Sequence, residues 1–248
     1  MRFFYLELNA FIVAGKNILN INKEKGVVFT SSWSLAEQFI NINESNYGKI
    51  KSNLKIIKES KIYIDEDDIY KKVFDAFNVK IPLFEKNNDY LIKIMDTIIN
   101  SKQYKEIDLN ILNDIIKIKE IRKITSMNNN KMYNELMNNS RKIINTVFDE
   151  NFWYWMVFEL LAMTVKDGTS LSIEQIKKQY NGTLNRYIYA SAQYFGKYHK
   201  NDRNDFIDLE HYKYISNDII HMVSDDKIMK FYDRKKVYTV KEFLEYMK

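Results

Sequence analysis

Three short, almost wholly apolar runs separated by helical patterns constrain this chain more than any other feature. Residues 3 to 8 read as a strand built on Phe3-Phe4-Tyr5-Leu6, residues 27 to 31 as a second built on Val27-Val28-Phe29-Thr30, and Lys61-Ile62-Tyr63-Ile64 as a third. A run that is apolar on both faces belongs in a parallel sheet covered on both sides, because a half-solvated strand would alternate. Between the runs the spacing turns helical. Phe11, Ile12 and Ile18 mark a helix over residues 9 to 19, and Trp33, Ala36 and Ile40 one over 33 to 42. Asp65 to Phe77 is predicted as an amphipathic helix whose acidic first turn suits the helix dipole. Strand and helix alternating three times is the pattern of an α/β sheet with right-handed crossovers.

The alternation stops at Pro82 and resumes late. From there to about Gly168 helical periods such as Tyr90, Ile92, Ile94, Ile98 and Ile99 occur without a convincing strand. Helices are expected at 172–179, 184–198 and 205–216, followed by a strand over Ile219 to Ser224 and another near Lys236 to Tyr238. Thr239 caps a last helix, and Glu242 completes the Thr-x-x-Glu capping box. The expected architecture is a mostly parallel sheet of about five strands flanked by helices, with an all-helical insertion or cap. Its domain plan is a discontinuous core at 1–80 and 169–248, with the insertion at 81–168.

At 248 residues the chain can bury one sizeable core. It contains no cysteine, which excludes disulfides, cysteine nucleophiles and thiolate zinc sites. His199, His211 and His221 are too few and too scattered for a histidine-rich metal site. The net charge of +5 permits nucleic-acid binding without requiring it. Neither a signal-peptide pattern nor an apolar stretch of bilayer length is read, so a cytoplasmic protein without a membrane span is expected.

Carboxylates fall at the ends of the apolar runs. Glu7 ends the first, Asp225-Asp226 end the one beginning at Ile219, Glu37 sits in the helix after the second, and Asp208 lies just before the late run. Ligands of open parallel sheets bind beyond the carboxyl ends of the strands, and grouped carboxylates repel one another unless cations or protons neutralise them. Glu7, Glu37, Asp208 and Asp226 are therefore the candidate cation-binding set. Each has an ordinary alternative. In these, Glu7 turns outward and pairs with a lysine, Glu37 fits a capping box with Ser34, and Asp205 fits an N-cap. Asp205, Asp208 and His211 recur every three residues, which puts them on one helical face. Asp225 and Asp226 are adjacent, so only one is expected to face the site, with Asp225 in reserve. Asp65-Glu66-Asp67-Asp68 reads as a solvated helix start.

Weaker signals surround the set. Arg186, Lys197, Lys200, Arg203 and Lys227 would steer phosphates toward the acids. Tyr187, Tyr189, Tyr194, Phe195 and Tyr198 either stack nucleobases or fill a core, and core is the commoner use. Without a Gly-rich phosphate loop or a Gly-x-Ser-x-Gly elbow, a P-loop NTPase and an α/β-hydrolase are disfavoured.

Taken in order, these segments resemble the PIN-domain family of metal-dependent nucleases. Tyr5-Leu6-Glu7-Leu8-Asn9-Ala10-Phe11-Ile12 is similar to the family's opening strand, usually Leu-Asp-Thr-Asn followed by apolar residues. Phe29 to Gln38 resembles its second strand and glutamate-bearing helix, Asp208-Leu209-Glu210-His211 its Asp-x-x-His helix, and Val223-Ser224-Asp225-Asp226-Lys227 its Val-Thr-x-Asp-Lys ending. Residues 236 to 244 are similar to the closing strand and helix. Glu7 replaces the usual aspartate and Leu8 the usual hydroxyl residue, and the insertion is far larger than in a minimal member.

The resemblance implies a PIN-like three-layer fold and hydrolysis of phosphodiester bonds, most often in RNA, with Mg²⁺ or Mn²⁺. Glu7, Asp208 and Asp226 would hold one or two hard cations, with Glu37 completing the site and Asp205 and Asp225 as further ligand candidates. Asn9, Ser224 and His211 would orient the ligands. Family members include toxins of toxin–antitoxin pairs and RNA-processing enzymes, so an antitoxin or other protein partner, or a homo-oligomer, is a candidate assembly. Two alternatives stand beside this one: a catalytically degraded member that binds nucleic acid or a protein partner, and a different phosphate-handling α/β enzyme such as a phosphatase.

Overall fold

The computed structural model describes residues 1–65, 88–120, 123, 211–214, 219–226, 229 and 235–248. The chain divides into two compact units, one comprising residues 1–68, 85–122 and 219–248, the other 69–84 and 123–218. The first unit carries the sheet.

Five strands form that sheet: β1 (Arg2–Leu6), β2 (Gly26–Ser31), β3 (Tyr63–Asp65), β4 (Ile220–Val223) and β5 (Val237–Tyr238). Their order is β3-β2-β1-β4-β5, and every neighbouring pair is parallel. The expectation of an α/β protein with a parallel sheet is met. From β1 the chain steps outward through β2 and β3, then returns to the other side of β1 with β4. The direction of winding therefore reverses between β1 and β4, which in open α/β sheets opens a crevice at their carboxyl ends.

β1 is apolar because both its faces are covered. Phe4 and Leu6 enter the main core, while Tyr5, also fully buried, lies on the other face, its ring 5.4 Å from that of Phe29. The main core receives Ala10, Phe11 and Ala14 from α1 (Leu8–Ala14), and Leu35, Ala36 and Phe39 from α2 (Ser32–Phe39). Tyr47, Ile50, Leu54 and Ile57 come from α3 (Tyr47–Ser60), Ile94, Met95 and Ile98 from α4 (Asn88–Asn100), and Val240, Phe243 and Met247 from α5 (Val240–Met247). Each fully buried Val, Leu, Ile, Phe or Met side chain among them contributes roughly 1.5–3 kcal/mol. Helical residues 109–120 add Ile111 and Ile115. Among the described residues no helix is long and apolar enough to cross a membrane.

Local chemistry sets the ends of these elements. Gly26, at the start of β2, lies so close to β1 that a Cβ would stand 2.9 Å from the Phe4 ring and 3.0 Å from the Arg2 carbonyl. Gly15 ends α1 at φ 50, where a side chain would be strained, and a 3₁₀ turn continues to Asn20. The capping box of Thr239 and Glu242 is present at α5 as expected. α3 was not foreseen. Its apolar residues recur at helical spacing, but Lys49, Lys51, Lys55 and Lys58 occupy the remaining turns. It docks α4 through the Lys58–Asp96 ion pair at 2.7 Å and through Tyr47, whose hydroxyl donates to the Ser101 carbonyl just past α4 and lies 3.2 Å from the Ile98 carbonyl. The expected helices at 65–77, 172–179 and 184–198 lie outside the described residues, apart from Asp65. His211–Tyr214, within the expected 205–216 helix, form a 3₁₀ turn.

Candidate functional site

Polar residues gather at the carboxyl ends of the strands. Ser31 of β2 pairs in register with Asp65 of β3. One residue beyond the Leu6–Val223 pair, Glu7 meets Ser224, whose Oγ donates to Glu7 Oε1 at 3.1 Å. Glu7, Ser31, Asp65 and Ser224 are all buried.

Glu7 does not turn out to a lysine; it is 4% exposed and caps α1. Its Oε2 accepts from the Asn9 N–H at 2.8 Å and its Oε1 from the Ala10 N–H at 3.1 Å, while its own carbonyl begins the helical hydrogen bonds to Phe11. Burial raises its pKa from 4.5 to about 7; the Asn9 N–H and Ser224 hydroxyl oppose the rise, and the negative charge of Glu37 adds to it. Glu37 thus shares the electrostatic environment of Glu7. It does so from the second turn of α2, not from the helix start, because Ser31 is the N-cap and accepts from the Ser34 N–H at 3.1 Å. The capping-box reading of Ser34 and Glu37 is corrected: Ser34 has its hydroxyl 3.1 Å from that of Tyr5 instead.

The two adjacent aspartates separate. Asp225 Oδ1 accepts from the Val240 N–H at 2.9 Å, fastening the end of β4 to the first turn of α5. Asp226 is half-buried, and its N–H donates to Ser224 Oγ at 3.1 Å. Ser224 therefore ties the Asp226 backbone to the Glu7 carboxyl through one hydroxyl. Asn9 acts on Glu7 through its backbone N–H, and the residue itself is exposed. His211 is buried and belongs to the second compact unit. Asp205, Asp208, Arg186, Lys197, Lys200, Arg203 and Lys227 lie outside the described residues.

Three features were not singled out from sequence. Asp65, read as the start of a solvated acidic segment, is the buried last residue of β3. Tyr5, Ser31 and Ser34 bring three buried hydroxyls together at 3.0 to 3.4 Å. Gln38, 5% exposed, keeps its Nε2 without a hydrogen-bond partner. Alternation at the strand's end and the spacing of 34 to 38 were the available signals.

The donor chemistry suits a hard divalent cation. A carboxylate offers about four lone-pair positions; Asn9, Ala10 and Ser224 engage three of those of Glu7, which leaves room for one further ligand contact. Among the described residues, however, no group of three or more His, Cys, Asp or Glu stands close enough to hold a metal ion. Comparison with protein-family models, curated proteins and solved structures gave no match.

Proposed function

We propose that this protein is a PIN-like, metal-dependent nuclease that hydrolyses phosphodiester bonds, with RNA the favoured substrate and Mg²⁺ or Mn²⁺ the cofactor. The supporting observation is a buried carboxylate, Glu7, at the reversal point of a parallel sheet, hydrogen-bonded to Ser224 just past the neighbouring strand and raised in pKa chiefly by burial and further by the charge of Glu37. A carboxylate in so costly a position implies compensation by a ligand or proton.

Glu7 and Asp226 would supply oxygen ligands together with Asp208, which lies outside the described residues, and Glu37 would act through water. When bound, the cation would acidify a water molecule and offset charge building on the phosphate. Hydrolysis adds the water oxygen to phosphorus and breaks one P–O bond of the strand. Ser224 holds the Glu7 carboxyl through its hydroxyl and the Asp226 backbone through the same oxygen, fixing their separation. Asp208 holds the remaining acidic position that the resemblance implies.

Cleavage of RNA and single-stranded oligonucleotides is measured with and without Mn²⁺, in wild type and in Asp226→Asn, Asp208→Asn and Glu7→Gln proteins shown to be folded. The proposal expects cation-dependent cleavage that the variants lose. Equal cleavage by all four proteins would assign the activity to a contaminant or another site.

One observation favours a second reading, a degraded member that binds without cleaving. The Glu7 carboxylate already serves two N–H groups at the start of α1, so helix capping alone gives it a use. Mn²⁺ separates the two: a ligand selective for the native state raises its stability, and the degraded form would show no such rise.

A further inference from the structure

The helix over residues 109–120 carries two apolar stripes, and the core takes only one of them. Ile111 and Ile115, one turn apart, are buried in the main core. Leu109 and Ile116 lie on another side of the helix, 75% and 52% exposed. Leu112 stands between the two stripes, half-buried and packed against the core along one edge. Leu109, Leu112 and Ile116 fall at i, i+3 and i+7, the spacing of a seam between two helices. A single exposed leucine or isoleucine is ordinary on a protein surface. Three in one line, on a helix whose other stripe already fills the core, need a further reason.

The charges of this helix indicate what fits the seam. They are segregated along the sequence: Asp108 and Asp114 come first, then Lys117, Lys119, Arg122 and Lys123, with Glu120 the one acid among them. Asp108 and Lys119 are both exposed, and about three turns separate them, so they lie on the same flank of the stripe. A parallel copy would set like charges side by side. An antiparallel copy, related by a twofold axis near Leu112, sets Leu109 against Ile116 and brings Asp108 of each helix toward Lys119 of the other. The same polarity suits the helix's own dipole, and Asp108 also caps it by accepting from the Asn110 N–H at 2.7 Å. Neither use accounts for the apolar seam beside those charges.

We propose that the Leu109–Leu112–Ile116 face docks a second copy of this chain, packed antiparallel about a twofold axis. The seam spans only about two turns, too little for an obligate dimer, so the association is reversible and depends on concentration. It stands independently of the nuclease reading.

Sedimentation velocity of the full chain over roughly 1 to 100 µM, the range in which weak self-association shows, is the test. Wild type is compared with Leu109→Gln, Ile116→Gln, Lys119→Glu and the double variant Lys119→Glu with Asp108→Asn, and the thermal midpoint of each is read at the lowest concentration. Wild type should pass from monomer to dimer as concentration rises. Either glutamine variant should weaken dimerisation roughly tenfold without lowering the dilute midpoint, because both positions are exposed in the single chain. Lys119→Glu should weaken it about threefold by facing the other copy's Asp108, and Asp108→Asn, which removes that charge and keeps an N-cap residue, should recover part of the loss. Wild type that stays monomeric throughout would overturn the proposal, and so would a dimer that both glutamine variants leave intact. A dilute midpoint lowered by either glutamine variant would overturn it as well, by showing the stripe covered within one chain. Absence of recovery in the double variant would overturn the antiparallel arrangement.

Discussion

Replacing Glu7 by glutamine should change how stability depends on pH, and the structure gives both sign and size. A carboxyl whose pKa rises from 4.5 unfolded to about 7 folded binds its proton more tightly in the native state. Its stabilising contribution is therefore complete below about pH 4.5 and is lost as pH rises through about 7. The full loss for this group is about 3 kcal/mol. Glutamine cannot titrate, so it escapes that loss. It also presents an NH₂ where Glu7 has a second acceptor, opposing either the Asn9 N–H or the donors on Oε1, at a cost of about 1 kcal/mol. The variant should be less stable than wild type by about 1 kcal/mol at pH 4 and more stable by about 2 kcal/mol at pH 8. Urea denaturation of both proteins at half-unit pH steps, without divalent cations, measures the difference. A difference that stays constant from pH 4 to pH 8 would refute the argument, because Glu7 would then have no abnormal proton affinity.

Other substitutions probe the surrounding contacts. Ser224→Ala removes the hydroxyl that donates to Glu7 and accepts from Asp226; it should cost about 1–2 kcal/mol and move the Glu7 pKa further upward, read by the same pH series. Asp225→Ala should lose about 1 kcal/mol by uncapping the Val240 N–H while leaving Mn²⁺ binding unchanged, as calorimetric titration would show. Gly26→Ala should destabilise by about 1–3 kcal/mol in thermal or chemical denaturation, since the new methyl group meets the Phe4 ring and the Arg2 carbonyl.

The strands were legible because burial on both faces writes itself as an unbroken apolar run: Phe3 to Leu6, Val27 to Thr30 and Ile219 to Val223 needed no tertiary information. β3 was placed two residues early at its start, because Lys61 adopts a left-handed conformation, φ 49, to close α3 and nothing in its side chain signals this. α3 itself was overlooked amid lysines, although Tyr47, Ile50, Leu54 and Ile57 keep helical spacing. At the site, the burial of Glu7 was readable from its position after a buried strand, but its capping of α1 was not, because glutamate is not a usual N-cap residue. Ser31 displaced Ser34 as the cap of α2 because two serines three residues apart both suit that role, and the strand's end decides between them. The contact of Asp225 with Val240 joins residues 15 apart and is set by the β4–β5 pairing, which residue types alone do not reveal. Asp65 looked solvated within an acidic run and is buried because β2 pairs alongside it.

The most direct measurement is Mn²⁺ binding itself, by paramagnetic resonance of free Mn²⁺ at pH 8, in wild type, Glu7→Gln and Asp226→Asn. Saturable binding by wild type and loss of it in both variants is the predicted result. Wild type that leaves Mn²⁺ free, or variants that bind it equally well, would contradict a shared cation site at the reversal of the sheet.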